Sequence, residues 1–421
     1  MARAVSTMWD KTLYDVPKAQ FEERLERVRE LALEHDLSAV VVYSQPKIHQ
    51  WSQTGHICYL TNWCSPDRQT DTMVVVPRKG EPVLLLASVE FVFDQIEPVS
   101  WMEDIRLVSS PDPRAVSASY NVGVAGETAV GGARTFGQEV AEILKQTGSA
   151  GRPIGISGYE AMSAALFRDL QASVPDGIAD VPDFVADLRA VKSSEEVSLL
   201  RQVAAISDRS YERVLEVLTD GMLAYELMSE LDQSARHMGG DLVYHCLHWA
   251  PGGDLASGSL SIKPLDQPLR RGDYINVNAY VVHRGYWIQS DRTGTIGPTL
   301  GSTGGKIYQA NLAVQDEVLA AIKPGLPIQE MLNIGNRAAG RLGYEIQGGR
   351  IGHGQGLDYA EKPFLIAGSK EVLEPGNVFV LHVCLGIPGT RILVNPIADL
   401  CHITEDGVEV LNSFPRELFH A

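Results

Sequence analysis

Three segments in the second half of the 421-residue chain are polar where a strand or turn would ordinarily be apolar. In the first segment, residues 273–280, apolar and polar residues alternate with a period of two, so Asn276, Asn278 and Tyr280 share one strand face. The return strand carries Asp291. Such a face can position a polar substrate. A solvent-facing hairpin is the alternative for any one of these residues taken alone.

Two histidines carry the main candidate chemistry. His353 is framed by glycines within residues 352–356, which allows the backbone to approach a small ligand closely. His382 shares one face of a predicted strand with Cys384, and an imidazole on an otherwise apolar strand needs a polar partner. Because the ordinary pKa of histidine lies near neutral pH, either imidazole can act as a general base. A structural histidine is the alternative in each case.

The segment 244–249 adds two further histidines and a cysteine. His245 and His248 have opposite strand parity, so only one of them would face a given cleft, and we take His248 as a candidate substrate ligand. Cys246 and Cys384 are candidate nucleophiles, and inert packing is the alternative, because buried strand cysteines are ordinarily unreactive.

The first half of the chain predicts an α/β domain. Its pattern indicates helices over 21–35 and 136–146, strands over 38–43 and 153–157, and a hairpin of strands 72–77 and 82–87. A capping box of Ser193 and Glu196 marks the start of the second half. We therefore predict two domains, residues 1–190 and 191–421.

The second half repeats one arrangement of elements. Helices predicted over 193–219 and 224–237 precede strand-like segments, and helices over 305–322 and 327–341 precede another such set. Two ααββ units in tandem predict a pseudo-twofold domain with its site between the halves. The fold class of the whole chain is α/β (α+β).

Charge and composition exclude several classes of protein. The chain has 53 Asp and Glu against 36 Lys and Arg, and a net charge of -17 repels nucleic acid. No apolar run approaches the ~18 residues that span a bilayer, so we expect no membrane partner. The five cysteines show no CxxC spacing, and the start lacks a secretory apolar stretch, which favours a reduced cytoplasmic location.

The order of motifs resembles the pita-bread superfamily of creatinase, aminopeptidase P, prolidase and methionine aminopeptidase. The resemblance runs from about residue 20 to 413. It rests on motifs at 188–196, 272–273, 285–293, 322–325, 352–358, 373–376 and 403–407. It implies an N-terminal creatinase-like domain followed by a C-terminal pita-bread catalytic domain.

The peptidases of this superfamily hold two metal ions with two Asp, one His and two Glu. The corresponding positions here are Asn278, Asp291, His353, His382 and Ala398. Three of the four carboxylates are therefore missing, and a two-metal centre would carry uncompensated positive charge. We expect no cofactor. The alternative is one Fe or Mn ion held by Asp291, His353 and His382, a two-His-one-carboxylate set.

The hairpin is more similar to creatinase, the metal-free branch, than to the peptidases. Creatinase cleaves a C–N bond of a guanidino compound with a histidine as acid/base and with carboxylates that bind the guanidinium. Here no histidine occurs at 259–261, and one guanidinium carboxylate corresponds to His382. Only Asp291 and either Glu361 or Asp399 remain to neutralise a cation. The resemblance thus implies a small substrate without strong positive charge.

These observations lead to a predicted function. We expect a metal-independent hydrolase of a C–N bond in a small amide, amidine or urea-like compound. His353 or His382 would be the base, Asp291 would orient it and raise its pKa, and Asn278 and Tyr286 would position the substrate.

Three other functions stay open: an Xaa-Pro-type metallopeptidase relative, a mononuclear-metal lyase, and a non-catalytic binding protein. The resemblance also implies a homodimer in which the N-terminal domain of one chain caps the site of the other. Arg68 lies where such a capping loop would be, and it would clamp a substrate carboxylate.

Overall fold

The computed structural model describes residues 16–45, 55–63, 71–87, 100–109, 111, 134–253, 266–297, 303–390, 393–394 and 397–421. The chain divides into two compact units, Met1–Arg189 and Ala190–Ala421, one residue before the predicted boundary. No helix within the described ranges is long and apolar enough to cross a membrane.

One mixed sheet forms the centre of the N-terminal unit. Its strands are β1 (Ala39–Ser44), β2 (Thr72–Pro77), β3 (Val83–Leu86), β4 (Asp104–Leu107) and β5 (Ile154–Ser157), in the order β4-β3-β2-β1-β5. Its helices are α1 (Lys18–Glu34), α2 (Gly55–Thr61), α3 (Phe136–Gln146), α4 (Ala164–Ser173) and α5 (Phe184–Ala190). Strands β1, β2, β3 and β5 are buried at every residue, which explains their continuous apolar sequences.

The C-terminal unit contains two helix pairs, each followed by strands. The first set is α6 (Ser194–Val217), α7 (Ala224–His237), β6 (Leu242–Ala250), β7 (Tyr274–His283) and β8 (Tyr286–Thr295). The second set is α8 (Thr303–Ala321), α9 (Ile328–Arg341), β9 (Glu345–Ile346), β10 (Arg350–Gly354), β11 (Glu361–Ile366), β12 (Val378–Leu381), β13 (Leu385–Gly386), β14 (Leu393–Val394), β15 (Asp399–Ile403), β16 (Val408–Val410) and β17 (Phe419–His420). This arrangement confirms the predicted fold class.

The strands of this unit form three sheets, in the orders β17-β8-β7-β6, β11-β10-β12-β15-β16 and β14-β13-β9. Helices α6 and α7 cover one face of the first sheet, where Leu227 packs with Val277 in an apolar core. Helices α8 and α9 cover one face of the second sheet, where Met331 packs with Phe379. Each sheet therefore has one face that its helix pair does not cover.

The helix boundaries follow local capping chemistry. The hydroxyl of Ser193 accepts a hydrogen bond from the Glu196 N–H, and the Glu196 carboxylate accepts one from the Ser193 N–H. This is the capping box that the sequence predicts at the start of α6. Thr135 and Gln138 form the same arrangement at the start of α3, which the sequence did not single out.

The state of one cysteine differs from the expectation of reduced thiols. Cys246, Cys384 and Cys401 are free, but Cys58 is disulfide-bonded. This single bond is not a disulfide scaffold of the kind that the cysteine count excludes.

Candidate active site

The register of β6, β7 and β8 aligns polar side chains in three rows across the sheet. Residues directly opposite one another in antiparallel strands share a face. The rows are Tyr244, Tyr280 and Gln289; Cys246, Asn278 and Asp291; and His248, Asn276 and Thr293. We call these nine residues the polar face. Their neighbours along each strand, such as Val277 and Ala279, are fully buried in the core beneath α6 and α7.

This alternation separates the two histidines of β6. His248 belongs to the polar face, whereas His245 faces the helices, with its Nδ1 2.6 Å from the Asp232 carboxylate. The Nδ2 of Asn278 donates to the Oδ1 of Asn276 over 2.8 Å, which fixes the orientation of both amides. Of the predicted ligands, Asn278 and His248 therefore lie on one face with Asp291.

The second sheet supplies the two candidate imidazoles. His353 pairs with Val380 across β10 and β12, while Phe379 and Leu381 point into the core beneath α8 and α9. His382 directly follows β12, and its ring centroid lies 5.2 Å from that of His353. The two rings meet edge to face at 72°. The sheet thus brings together the two histidines that the sequence singles out.

The glycines on either side of His353 allow neighbouring backbone to pack closely. A Cβ at Gly352 would lie 2.1 Å from the carbonyl oxygen of Val380, and one at Gly354 would lie 2.2 Å from that of Lys362. Neighbouring backbone therefore excludes a side chain at both positions. The expectation that the glycine-rich segment admits a small ligand stays a prediction.

A buried arginine joins the two sheets beside Asp291. The backbones of Asp291 and Ala398 form an isolated bridge with two N–H to carbonyl bonds of 3.2 Å. The fully buried Arg292 donates to the carbonyls of both residues and, over 2.7 Å, to the Asp399 carboxylate. Arg416 donates to the other Asp399 oxygen over 2.8 Å. Asp399 is therefore already neutralised and is not available to bind a cationic substrate.

Both imidazoles are neutral at neutral pH. Burial lowers the pKa of His353 to about 4, although its Nδ1 lies 3.1 Å from the Gly354 carbonyl oxygen. Burial, the neighbouring His353 and the charge of Arg350 hold the pKa of His382 well below its ordinary value. The His382 ring is 3% exposed, and neither of its nitrogens has a hydrogen-bond partner among the described residues. Two buried nitrogens without a protein partner are available to a ligand.

The electrostatic role of Asp291 differs from the expectation. Its charge is not among the causes that set the pKa of either imidazole, so the predicted rise is wrong in direction. Asp291 instead acts on its neighbours on and beside the polar face. Burial first, and then this carboxylate, raise the pKa of Tyr359 to about 12 and that of Cys384 to about 11. The pKa of Cys246 is raised by the same two causes. Both thiols are therefore protonated and weak as nucleophiles at neutral pH.

Two of the other predicted ligands have structural partners. The Glu361 carboxylate lies 2.6 Å from the Nζ of Lys192, and both side chains are buried. The Tyr286 hydroxyl donates to Glu196 over 3.0 Å, and Tyr286 has the strand parity opposite to Asp291. The structure therefore does not bring Tyr286 to the polar face, and Lys192 neutralises Glu361. Arg68 lies outside the described residues.

The structure adds residues that the sequence reasoning missed. The Tyr359 hydroxyl donates to the Gln289 side chain over 2.9 Å, and the Tyr359 ring lies 5.1 Å from that of His353. Gln289 precedes Asp291 by two positions on the same strand, so strand alternation could have identified it. Tyr359 lies in an irregular segment after β10, where no sequence period applies.

The side chains at the predicted metal positions do not form a metal site. No group of three or more His, Cys, Asp or Glu among the described residues could hold an ion. Ala398 has no donor in its side chain, and Asn278 and His382 are uncharged where the superfamily peptidases have carboxylates. The donors present fit neither a two-metal centre nor the single-ion alternative at Asp291, His353 and His382.

Comparisons with known proteins identify both units. The model of metallopeptidase family M24 matches residues 198–408. The model of the creatinase/prolidase N-terminal domain matches residues 24–191. These matches confirm the superfamily resemblance.

Individual relatives agree with the family matches. The chain is 28% identical over 293 residues to an Xaa-Pro dipeptidase of Pyrococcus furiosus, covering 66% of this chain and 78% of that protein. It is 24% identical over 423 residues to an uncharacterised hydrolase/peptidase of Sinorhizobium fredii, covering 96% and 97%. Its fold is similar to that of an Xaa-Pro dipeptidase from Bacillus anthracis, with a TM-score of 0.74, 21% identity, and coverage of 95% and 100%.

The family match corrects the prediction that the protein uses no cofactor. A metallopeptidase family points to a metal requirement, whereas the described donors of this chain do not fit a metal centre. The match also favours cleavage of peptide bonds over the predicted non-peptide C–N bonds. Since it spans half of the chain and follows the N-terminal match in order, this protein belongs to metallopeptidase family M24, a family of hydrolases.

Proposed function

We propose that the protein hydrolyses the amide bond of small peptides, with Xaa-Pro dipeptides as the first substrate class to test. The family match and the Xaa-Pro dipeptidase relative support this choice. The observation that carries it is the pair of buried, neutral imidazoles of His353 and His382, 5.2 Å apart.

The chemistry follows from the protonation state of this pair. A neutral imidazole accepts a proton from water as the water attacks a carbonyl carbon, and the resulting imidazolium gives that proton to the amine as the C–N bond breaks. His382 is the better candidate for this role, because both of its ring nitrogens lack a partner among the described residues. The Nδ1 of His353 already lies near a backbone carbonyl, which favours a positioning role for His353.

The polar face supplies groups that can bind an amide. Asn278, His248 and Tyr280 offer donors and acceptors without a net charge, which suits a peptide carbonyl and N–H. Asp291 lies in the middle row beside Asn278 and can accept a hydrogen bond from a substrate N–H or amine. These roles remain predictions from position.

The test is a substrate panel assayed by product release. Purified protein is incubated with Ala-Pro, with Ala-Leu and with small non-peptide amides, each after chelation and again with added Mn²⁺, Co²⁺ or Zn²⁺. We expect turnover of dipeptides, with Ala-Pro preferred. Hydrolysis confined to non-peptide amides would contradict the proposal, and no turnover in any arm would favour the non-catalytic alternative.

The predicted homodimer and cytoplasmic location remain proposals. Light scattering of the full chain at several concentrations checks the first, and a dimer across that range is the expected result. Arg68→Gln then tests the proposed cap, because it should weaken substrate binding without changing the measured mass.

A further inference from the structure

We propose that Arg350 binds a carboxylate of the substrate, in a subsite completed by the apolar side chains of Phe364 and Ile366. This inference rests on the proposed function, since it names the part of a dipeptide that the site would select. The subsite lies on the same face of β10 and β11 as His353.

The strand register places these four residues together. Arg350 pairs with Ile366, and His353 pairs with Phe364. Paired residues share a face, and Phe364 and Ile366 are two positions apart on β11, so both pairs lie on the same face of the sheet. The intervening Gly352 pairs with Leu365, which is fully buried in the core beneath α8 and α9. A register shift between Arg350 and Gly352 adds one residue to β10 at this point. This bulge explains how residues three positions apart along β10 share a face.

The charge of Arg350 has no ion-pair partner within the described part of the protein. Its side chain is exposed, and it forms no ion pair or side-chain hydrogen bond with any residue that the structure describes. Some arginines of the same unit are paired, such as Arg292 with Asp399 and Arg201 with Glu409. An unpaired guanidinium presents a fork of donors that matches a carboxylate.

The position of this charge links it to the candidate imidazoles. After burial, the charge of Arg350 is among the causes that lower the pKa of His353 and of His382. The guanidinium therefore lies close enough to act on both rings. In a chain with a net charge of -17, a local cation at this place favours an anionic group of the substrate.

The two apolar neighbours define the rest of the ligand. Phe364 is 39% exposed and Ile366 is 43% exposed, although both belong to a strand whose other face is buried. A cation beside two exposed apolar side chains suits an apolar residue that carries a free carboxylate. The C-terminal residue of a dipeptide has this chemistry.

Binding of N-acetylproline and of its primary amide, measured by calorimetry, tests the subsite without any need for turnover. We expect the wild-type protein to bind the acid more tightly than the amide. Arg350→Gln should weaken binding of the acid by about 10- to 100-fold, the usual loss for a hydrogen bond between charged groups, and leave the amide unchanged. Arg350→Lys should retain part of the preference. Arg337→Gln, which removes an exposed arginine of α9, is the matched control.

The outcomes separate this inference from the proposed function. Three results would overturn the subsite. These are equal affinity of the wild-type protein for acid and amide, binding of neither probe, and an equal loss of affinity for both probes in Arg350→Gln. If the acid is bound selectively through Arg350 but no dipeptide is cleaved in the panel, the subsite stands and the proposed function fails. Thermal unfolding of each variant checks that the fold is intact.

Discussion

Two kinds of buried polar group occur in the C-terminal unit, and they differ in whether the protein satisfies them. Lys192 and Glu361 form a buried pair at 2.6 Å, and Arg292 and Asp399 form another at 2.7 Å. His382 is equally buried, but its ring nitrogens have no partner among the described residues. The satisfied groups hold strands and loops in place. The unsatisfied imidazole has no such role among the described residues, and we infer from this difference that His382 meets a ligand.

The largest effect on stability should come from breaking one of the satisfied pairs. Lys192→Met leaves the Glu361 carboxylate buried without its cation, and we expect a loss of about 3–5 kcal/mol in the free energy of unfolding. Urea denaturation measures this loss. Adding Glu361→Gln to the same chain should restore part of it, because the uncompensated charge is then gone. A loss below about 1 kcal/mol in the single variant would show that the pair is not a structural element.

The stability of the protein should depend on pH because its imidazoles are buried in the neutral form. The folded-state pKa of His353 is about 4, below its ordinary value of 6.5. Between these two pH values, the unfolded chain binds a proton at this histidine that the folded protein does not bind. Stability is therefore complete above pH 6.5 and falls as the pH drops toward 4, by up to about 3 kcal/mol from this group. Denaturation at a series of pH values should show a smaller fall in His353→Gln. An identical fall in both proteins would contradict the low pKa.

Replacing the imidazole of His382 should not lower the free energy of unfolding, in contrast to breaking the Lys192–Glu361 pair. His382→Leu removes two buried polar atoms that lack protein partners, so we expect the free energy of unfolding to stay equal or rise by about 1 kcal/mol. Turnover of any substrate found in the panel should be lost in the same variant. A clear loss of stability would place His382 among the structural groups and remove the contrast.

The smallest effect concerns Tyr286. Tyr286→Phe removes one hydrogen bond to Glu196, and we expect a loss of about 1 kcal/mol in stability with an unchanged KM. Denaturation and steady-state kinetics on the same preparation measure the two quantities. A raised KM with unchanged stability would return Tyr286 to the substrate-binding set that the sequence predicts.

Strand alternation predicted the part of the site that depends on local pattern. It separated Asn276 and Asn278 from the buried Val277, and His248 from His245, because the period of a strand fixes which side chains share a face. The helix pairs and the capping box at Ser193 likewise follow from local spacing. These features need no knowledge of long-range contacts.

The partners of individual side chains could not be predicted in this way. The bond from Tyr286 to Glu196 and the pair of Lys192 with Glu361 join residues 90 and 169 positions apart. The direction of the imidazole pKa shifts depended on burial, which the sequence pattern does not measure. The free charge of Arg350 was missed for the same reason, since only the structure shows which arginines are paired.

We propose that His382 takes part in the hydrolysis itself. The most direct test is the kcat of His382→Ala on the substrate that the panel identifies, beside His237→Ala, which alters an exposed histidine at the end of α7. We predict a fall in kcat of about 10²- to 10⁴-fold for His382→Ala, the usual contribution of a general base, with the fold intact and the control unchanged. A kcat near the wild-type value in folded His382→Ala would contradict the account.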